Sequence, residues 1–487
     1  MKSLPFALTL LLVSGLASFS KSASATTPVV TVTSPKNGSQ DSSPVNFTAS
    51  ASSPDCSAGI AAMRIYTAPS QSAYTTDSNK LDVSLTLAAG TYNTVVQAWD
   101  NCGGVGKTPV NITVTAASSG PTPKFLYSSD SGGNRIYGYN INPSTGVITP
   151  TSQGSVVTGS QPGRIASDLG GYRLYVVNSG SKDVEGYFIN RSDGSLQQVP
   201  DAPGVIVGDP LAVVVHPSGD YVFVTSTVSS TENYVAAFAV QSNGSLVQVP
   251  GSPFPTQDLP SAAVIDPTGN FLYVAPLETT YVDAYRIDTS NGTLTPVPGE
   301  PFLLPDDTNE GQCGAFDLAI EPGGKRLLAP EECAGQVAVF NINSSTGALT
   351  NAPYSPFVDP RQVPQVPEDI TSIAVDPQNR WWYLYESIPE EIPGGDIATL
   401  TPQDTAERTG QNCGDLVRAD PSGKFVYALG NTDGNGVCGT SSGGQQGAIL
   451  GFSVNQSNGT LTPLPGSPFP SPTPDNPGGG DGLVVTQ

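Results

Sequence analysis

The chain has 487 residues, with 20 Lys and Arg against 42 Asp and Glu, a formal net charge of −22 and a single histidine. So acidic a surface, with no cluster of Lys and Arg, excludes nucleic acid and anionic membranes as partners and disfavours highly phosphorylated substrates. Residues 1–25 read as a secretory leader: Lys2, an apolar run from Leu4 to Phe19, then the small-residue cleavage site Ala23-Ser24-Ala25. The apolar run is short for a membrane helix and no later segment approaches a span, so no membrane insertion is expected. Loss of Lys2 and Lys21 with the leader takes the net charge from −22 to −24.

Residues 26–116 carry short β-rich runs: "PVVTVTSP", "VNFTASAS", "AAMRIYTA", "KLDVSLTL", "TYNTVVQAWD" and "TPVNITVTA". Apolar residues alternate over Val29 to Val32, Leu81 to Leu87 and Tyr92 to Ala98, the period of strands with one face buried. About ninety residues and roughly seven strands predict a β-sandwich. The segment resembles the bacterial immunoglobulin-like domains of exported proteins, although Trp99 lies on a late strand, unlike the core tryptophan of antibody domains. Residues 117–123 form a linker rich in Ser, Gly and Pro.

From residue 124 to 487 one unit recurs seven times at a spacing of about fifty: an apolar run, a tight turn, a second apolar run and a hairpin. The turn is plain in "HPSGDYVFV", "DPTGNFLYV", "EPGGKRLLA", "DPQNRWWYL" and "DPSGKFVYAL". A sheet of four such strands cannot bury both faces alone, so the repeats predict an all-β fold, a seven-bladed β-propeller. Turn positions fall at Pro123, Gly171, Gly219, Gly269, Gly324, Asn379 and Gly423. The first unit begins at its second strand, whereas the last segment, Asp481 to Gln487, reads as an inner strand. Both ends of the propeller are therefore expected to complete one blade, which closes the ring and leaves no free edge. Asn-Gly pairs at 243–244, 291–292 and 458–459 accept the positive φ of tight hairpins, and "GSPF", "GEPF" and "YSPF" connect successive blades.

Six cysteines in an exported chain read as three local disulfides. Cys56 and Cys102 share the N-terminal segment. Cys313 and Cys333 flank the first two strands of one blade, and Cys413 and Cys438 hold the same places in a later one. There the start of one antiparallel strand neighbours the end of the next. A metal or redox site would need CxxC spacing or histidine ligands, so neither metal nor cofactor is expected.

The repeats, "RLYVVNSGSKDVEGYFI" among them, resemble the seven-bladed lactonase family, which includes 6-phosphogluconolactonases and muconate cycloisomerase relatives, and the YVTN repeats of bacterial surface proteins. In that family some inner strands start with Pro-Arg-His, and a later Asn-Glu pair joins the pocket. Here the strands start "PGRI", "PLAV", "PSAA", "AFDL", "ITSI" and "GDLV", without histidine, and Asn178 is followed by Ser179.

His216 holds the acidic position of a turn and is expected to stabilise that turn. "GTSSG" at 439–443 and "GNGVCG" at 434–439 match nucleophile-elbow and dinucleotide spacings but lack the base and the βαβ context that the chemistry needs. "NTDGNG" at 431–436 is loosely calcium-like without the twelfth-position Glu. One face of the ring carries the blade connectors and the long segments 303–312, 358–369, 386–396 and 431–447, the kind of surface where binding sites arise. At the axis, Arg164 and Arg418 are candidates to bind a carboxylate or polarise a lactone carbonyl, and Asp317, Asp415 or Asp481 to activate water. The same groups would serve equally as the lining of a wet channel. Of the neighbours Trp381 and Trp382, one is expected in the core and the other exposed, where it would suit glycan stacking. The function these features predict first is an exported binding or scaffold module that takes a glycan, lactone or protein on its loop-rich face. The alternative is a lactone hydrolase. Non-reducing peptide mapping should return Cys56–Cys102, Cys313–Cys333 and Cys413–Cys438; free thiols or crossed pairs would refute local pairing.

Overall fold

The structure, a computed structural model, describes residues 27–487 except 43–44, 69–70, 86, 88–89, 116–121, 123, 201–203, 258, 278, 305–313, 332–334, 354, 359–369, 387–390, 397–400, 409–412, 434–444 and 471–481. The leader therefore lies outside the described residues, as do Cys313, Cys333, Cys438, Asp481 and the side chains of Cys413 and Asp415. Among the described residues all regular structure is strand, and the chain divides into two compact units, residues 1–118 and 119–487.

The first unit has eight strands: β1 (Val29–Ser34), β2 (Gln40–Ser42), β3 (Val45–Ser52), β4 (Ile60–Ala68), β5 (Gln71–Thr76), β6 (Lys80–Leu85), β7 (Gly90–Asp100) and β8 (Val105–Thr115). They make two sheets, β1-β3-β6 and β2-β8-β7-β4-β5, with β2 parallel to β8. Alternate residues of both sheets, Phe47, Met63, Ile65, Val96, Ala98 and Ile112 among them, meet in one core. Trp99 points away from that core, and the Arg64 guanidinium lies 5.4 Å from its ring. Cys56 and Cys102, in the loops after β3 and β7, are disulfide-bonded with their Cα atoms 5.9 Å apart.

The second unit is seven antiparallel sheets. In chain order, the inner strands of blades two to seven are Pro162–Ser167, Asp209–Val215, Pro260–Ile265, Ala319–Ile320, Ile370–Val375 and Cys413–Ala419. Blade one takes its inner strand from the C-terminus: Leu483–Thr486 pairs antiparallel with Phe125–Ser128. Lys124 N–H donates to the Thr486 carbonyl at 2.9 Å, and Ser129 N–H to that of Gly482 at 3.1 Å. The expected ring closure is thus a continuous ladder.

Period-two alternation explains why second strands such as "FLYVA" are apolar throughout. In blade four, Leu272 and Val274 pack with blade three, whereas Tyr273 and Ala275 pack with blade five. Every junction carries such a core, including that between blades seven and one, where Tyr427 and Leu429 meet Tyr139 and Ile141. Tyrosine hydroxyls tie several junctions further. Tyr127 donates to the Gly194 carbonyl at 2.9 Å, Tyr273 to Gly347 at 2.9 Å, Tyr383 to Gly459 at 3.1 Å and Tyr427 to Gly146 at 2.6 Å. The acceptors are hairpin residues of the following blade, so the last bond spans the closure.

Six of the seven predicted turns are present, and the seventh position, Pro123, lies outside the described residues. Gly171, Gly219, Gly269, Gly324, Asn379 and Gly423 have φ between 58° and 76°, and each N–H donates to the carbonyl three residues earlier. The acid that opens the turn caps it: Asp420 accepts from the backbone N–H groups of Ser422, Lys424 and Phe425 at 2.6–2.8 Å. His216 does the same work with a ring. Its Nδ1 accepts from Ser218 N–H at 3.1 Å, and its Nε2 donates to the Gly269 carbonyl of the next blade at 2.9 Å.

Three expectations need correction. Trp381 and Trp382 are both buried, because each face of a blade is covered by a neighbour: Trp381 lies between blades six and seven, and Trp382 between five and six with Phe357. The segment 386–396 is not all loop, since Glu391–Asp396 is the third strand of blade six. The "SPF" connectors are more than links: Phe254–Thr256, Phe302–Leu303, Phe357–Val358 and Phe469–Pro470 each pair with the third strand of the preceding blade. Deleting residues 481–487 removes the inner strand of blade one and should lower the propeller's melting temperature by well over 10 °C, whereas Tyr427→Phe should cost about 1 kcal/mol. Unchanged melting of the deletion would contradict closure.

Candidate functional site

Counting back from the residue that opens each turn (Asp168, His216, Asp266, Glu321, Asp376 and Asp420, with Gln487 in their place in blade one) aligns the inner strands. The fourth preceding residue is Arg164, Ala212, Ala262, Asp317, Ser372, Leu416 and Leu483 in blades two to seven and blade one respectively. This layer rings the axis, and three of its members are polar. Arg418 belongs two residues further along its strand.

Arg164, Asp317 and Arg418 meet although they come from blades two, five and seven. Arg164 Nη1 lies 3.3 Å from Asp317 Oδ1, and Arg418 Nη1 lies 3.0 Å from Oδ2. Arg164 Nη2 also donates to the Phe316 carbonyl at 3.1 Å. The Ser372 hydroxyl donates to Asp317 Oδ2 at 2.7 Å and accepts from Val417 N–H and Arg418 Nη1, both at 3.1 Å. Leu318 N–H completes the other carboxylate oxygen at 3.0 Å. Burial, the largest influence on Asp317, acts to raise its carboxyl, but Arg418 and Arg164, with the Ser372 hydroxyl, together hold it below the ordinary carboxylate range. An ionised acid with both oxygens occupied positions cations and is a poor acceptor of a proton from water. The water-activating role considered for Asp317 therefore does not suit its surroundings.

The clasp crosses the axis between two cavities. On the side where the inner strands start, a space of about 360 Å³ is lined by Gly163, Arg164, Leu211, Ser261, Phe316 and Leu416 among others. This loop-side mouth owes its lining to a recurrent irregularity: the ladder register shifts at Pro162/Ile165, Pro210/Ala212, Pro260/Ala262, Ile370/Ser372 and Gly414/Leu416. Such bulges re-aim side chains. Asp415 occupies the bulge position of blade seven, at the same step as Gly163, Leu211, Ser261 and Phe316. On the turn side a chamber of about 390 Å³ is walled by Ala166, Val214, Val264, Ala319 and Ala374, with Asp317 and Arg418 facing it. Arg164 lines both spaces; Arg418 lines only the second.

Ser372 is the member that sequence reasoning missed. Alignment of the repeats by their turn acids would have found it, at the step of Arg164 and Asp317. Asn178 is buried and engaged: its Nδ2 donates to Asp183 at 2.7 Å and its Oδ1 accepts from Thr158.

Residues 79–305 match the model of the family described as "Lactonase, 7-bladed beta-propeller". The match begins inside the first unit, whereas the first propeller strand starts at Phe125. No curated protein matches the chain. Among solved structures, the periplasmic gluconolactonase PpgL of Pseudomonas aeruginosa is 18% identical, with a TM-score of 0.58 over 75% of this chain and 99% of its own. A candidate 6-phosphogluconolactonase from Bacteroides uniformis is 15% identical, at 0.57 over 75% and 100%. A protein from Lactobacillus plantarum is 15% identical, at 0.56 over 75% and 99%. At such identity these likenesses concern the fold.

The folded Asp317 carboxyl titrates below its unfolded counterpart, whose value is near 3.8. Its contribution to stability is therefore complete above that value and lost as pH falls through the folded one. Asp317→Asn should cost up to about 3–5 kcal/mol at neutral pH, since it removes the buried carboxylate that two half-buried guanidinium groups share. The difference from wild type in urea melts should shrink below pH ~3. Equal stability at pH 7 would show that the clasp carries no weight.

Proposed function

Because the chain belongs to the seven-bladed lactonase propeller family, we propose that it is a lactone hydrolase working at the loop-side mouth of the propeller axis. The observation that carries this reading is Arg164: a guanidinium, aimed by Asp317 and the Phe316 carbonyl, set in the floor of a cavity otherwise lined largely by apolar groups and backbone. A fixed cation there would polarise a lactone carbonyl and stabilise the oxyanion that forms on attack by water. Asp317 would act as a positioning residue. The proton of the attacking water would go to a carboxylate, and we assign that role to Asp415, on the bulge step of its strand, or to Asp481, both outside the described side chains. The lactone C–O bond then breaks, and its oxygen takes a proton to leave a hydroxy acid.

The substrate class we favour is an unphosphorylated sugar or aliphatic lactone, given the net charge of −22 and a mouth whose described lining carries one charged residue, Arg164. The description of the Pseudomonas fold relative as a gluconolactonase supports the class of reaction. We also read the protein as exported, supported by the leader pattern, by the Cys56–Cys102 disulfide and by the periplasmic location of the Pseudomonas relative. The N-terminal unit is then an immunoglobulin-like module carried outside the cytoplasm. A binding module without catalysis is the second reading, favoured by the complete hydrogen bonding of Asp317 and by the missing Pro-Arg-His starts.

A panel of sugar and aliphatic lactones separates the two. Hydrolysis is expected, with kcat/KM reduced about 10²–10³-fold in Arg164→Ala and about 10²–10⁴-fold in Asp415→Ala, at unchanged melting for the second variant. Absence of turnover across the panel would overturn the hydrolase reading and leave recognition at the mouth.

A further inference from the structure

Around Arg164, six of the ten residues that line the loop-side mouth present apolar side chains: Pro210, Leu211, Leu259, Leu277, Phe316 and Leu416. The three that remain are Gly163, Ser179 and Ser261. Both serine hydroxyls are committed to the backbone, Ser179 donating to the Gln161 carbonyl and Ser261 to the carbonyls of Ala275 and Ala315, each at 3.2 Å. Main-chain acceptors are committed as well. The Gly163 carbonyl accepts from the Ser129 hydroxyl, that of Leu259 from Leu277 N–H, that of Leu277 from Gly314 N–H and that of Phe316 from Arg164, at 2.7–3.1 Å. A sugar lactone seated here would bury hydroxyls that find few open partners among the described residues, a cost that an alkyl chain does not meet.

Blade four supplies two of these apolar groups, one of them against local preference. Leu259 holds φ at +38°, in the left-handed region that suits glycine or asparagine, and it precedes Pro260, which favours extended backbone there. A leucine kept in so unfavourable a conformation points to a use for its side chain. Blade two shows what the same backbone carries elsewhere. Gln161 precedes Pro162 at φ +53°, and Ser179 N–H donates to its carbonyl at 2.9 Å, as Leu277 N–H does to that of Leu259 at 2.8 Å. The polar pair Gln161 and Ser179 thus becomes Leu259 and Leu277 in blade four, and both leucines line the mouth. Resting on the lactone reading, we propose that the mouth takes lactones bearing an alkyl chain in preference to polyhydroxylated sugar lactones, the ring carbonyl at Arg164 and the chain against Leu259, Leu277 and their apolar neighbours. The two leucines determine specificity and take no part in the chemistry. A cavity of about 360 Å³ has room for a ring with a short chain.

The test ranks three δ-lactones with the full chain at neutral pH: δ-decalactone, which carries a pentyl chain, unsubstituted δ-valerolactone, and glucono-δ-lactone. Each kcat/KM is referred to the uncatalysed rate of the same lactone. δ-Decalactone is expected to exceed both others at least about tenfold, a factor that one methylene in an apolar pocket can supply. Placing the blade-two pair in blade four, Leu259→Gln with Leu277→Ser, should remove about tenfold of that preference or more and leave δ-valerolactone within about twofold. Equal or faster turnover of either chainless lactone by the wild-type protein would overturn the alkyl preference and leave the hydrolase reading standing. Absence of turnover with all three would overturn both. A preference that survives the swap in a folded variant would overturn the assignment to these leucines. The wild-type ranking is decisive even if the double variant fails to fold.

Discussion

Everything at the axis depends on the ladder between Leu483–Thr486 and Phe125–Ser128. Without that pairing, blade one would show a bare edge and lack its inner strand. The inner strands of blades seven and two, which flank Leu483–Thr486, would have no fixed separation. Arg418 and Arg164 belong to those two strands, and both reach Asp317 on blade five. Closure therefore does two things with one set of backbone hydrogen bonds: it removes a hazard for edge-to-edge association and it sets the geometry of the only buried ion-pair cluster that crosses the ring among the described residues. Apolar cores at every junction and the Tyr427–Gly146 bond hold the same geometry from outside the axis.

The clasp is a compromise between burial and charge. A carboxylate as deeply placed as Asp317 would by itself take up a proton, and two arginines with a hydroxyl and backbone N–H groups prevent it. The arrangement gives the axis a rigid partition with cationic edges on both sides. On the loop side Arg164 meets a mouth shaped by strand bulges, the setting in which lactone opening is proposed. On the turn side Arg418 faces a chamber lined by small apolar side chains together with Ser167. One ion-pair network thus borders two spaces along the axis.

Much of this was legible in the sequence. The turn glycines announced the repeats because only a few residues accept φ near +60° to +76° at those positions, and the half-units at either end of the propeller announced its closure. Arg164, Arg418 and Asp317 were legible as axial because they stand at fixed steps before the turns. That Asp317 would bind both arginines was not legible: the partners lie 153 and 101 residues away, and no local pattern encodes which of seven strands faces which. Ser372 was overlooked because a lone serine in "ITSI" carries no signal until the repeats are aligned. The tryptophan pair misleads because alternation implies one wet face, whereas every blade of the ring is covered on both faces by its neighbours. The short strands made by "SPF" connectors follow from pairing with the preceding blade, a tertiary event that two or three residues cannot announce.

The account stands on residues distant in sequence sharing one ion pair at the axis. A double-mutant cycle with Arg164→Met, Asp317→Asn and the pair, read by urea unfolding of the full chain at neutral pH, tests this directly. A coupling of about 1–3 kcal/mol is predicted, the double variant costing less than the sum of the singles. Additive costs, with no coupling between the two positions, would contradict the clasp and the axial geometry built on it.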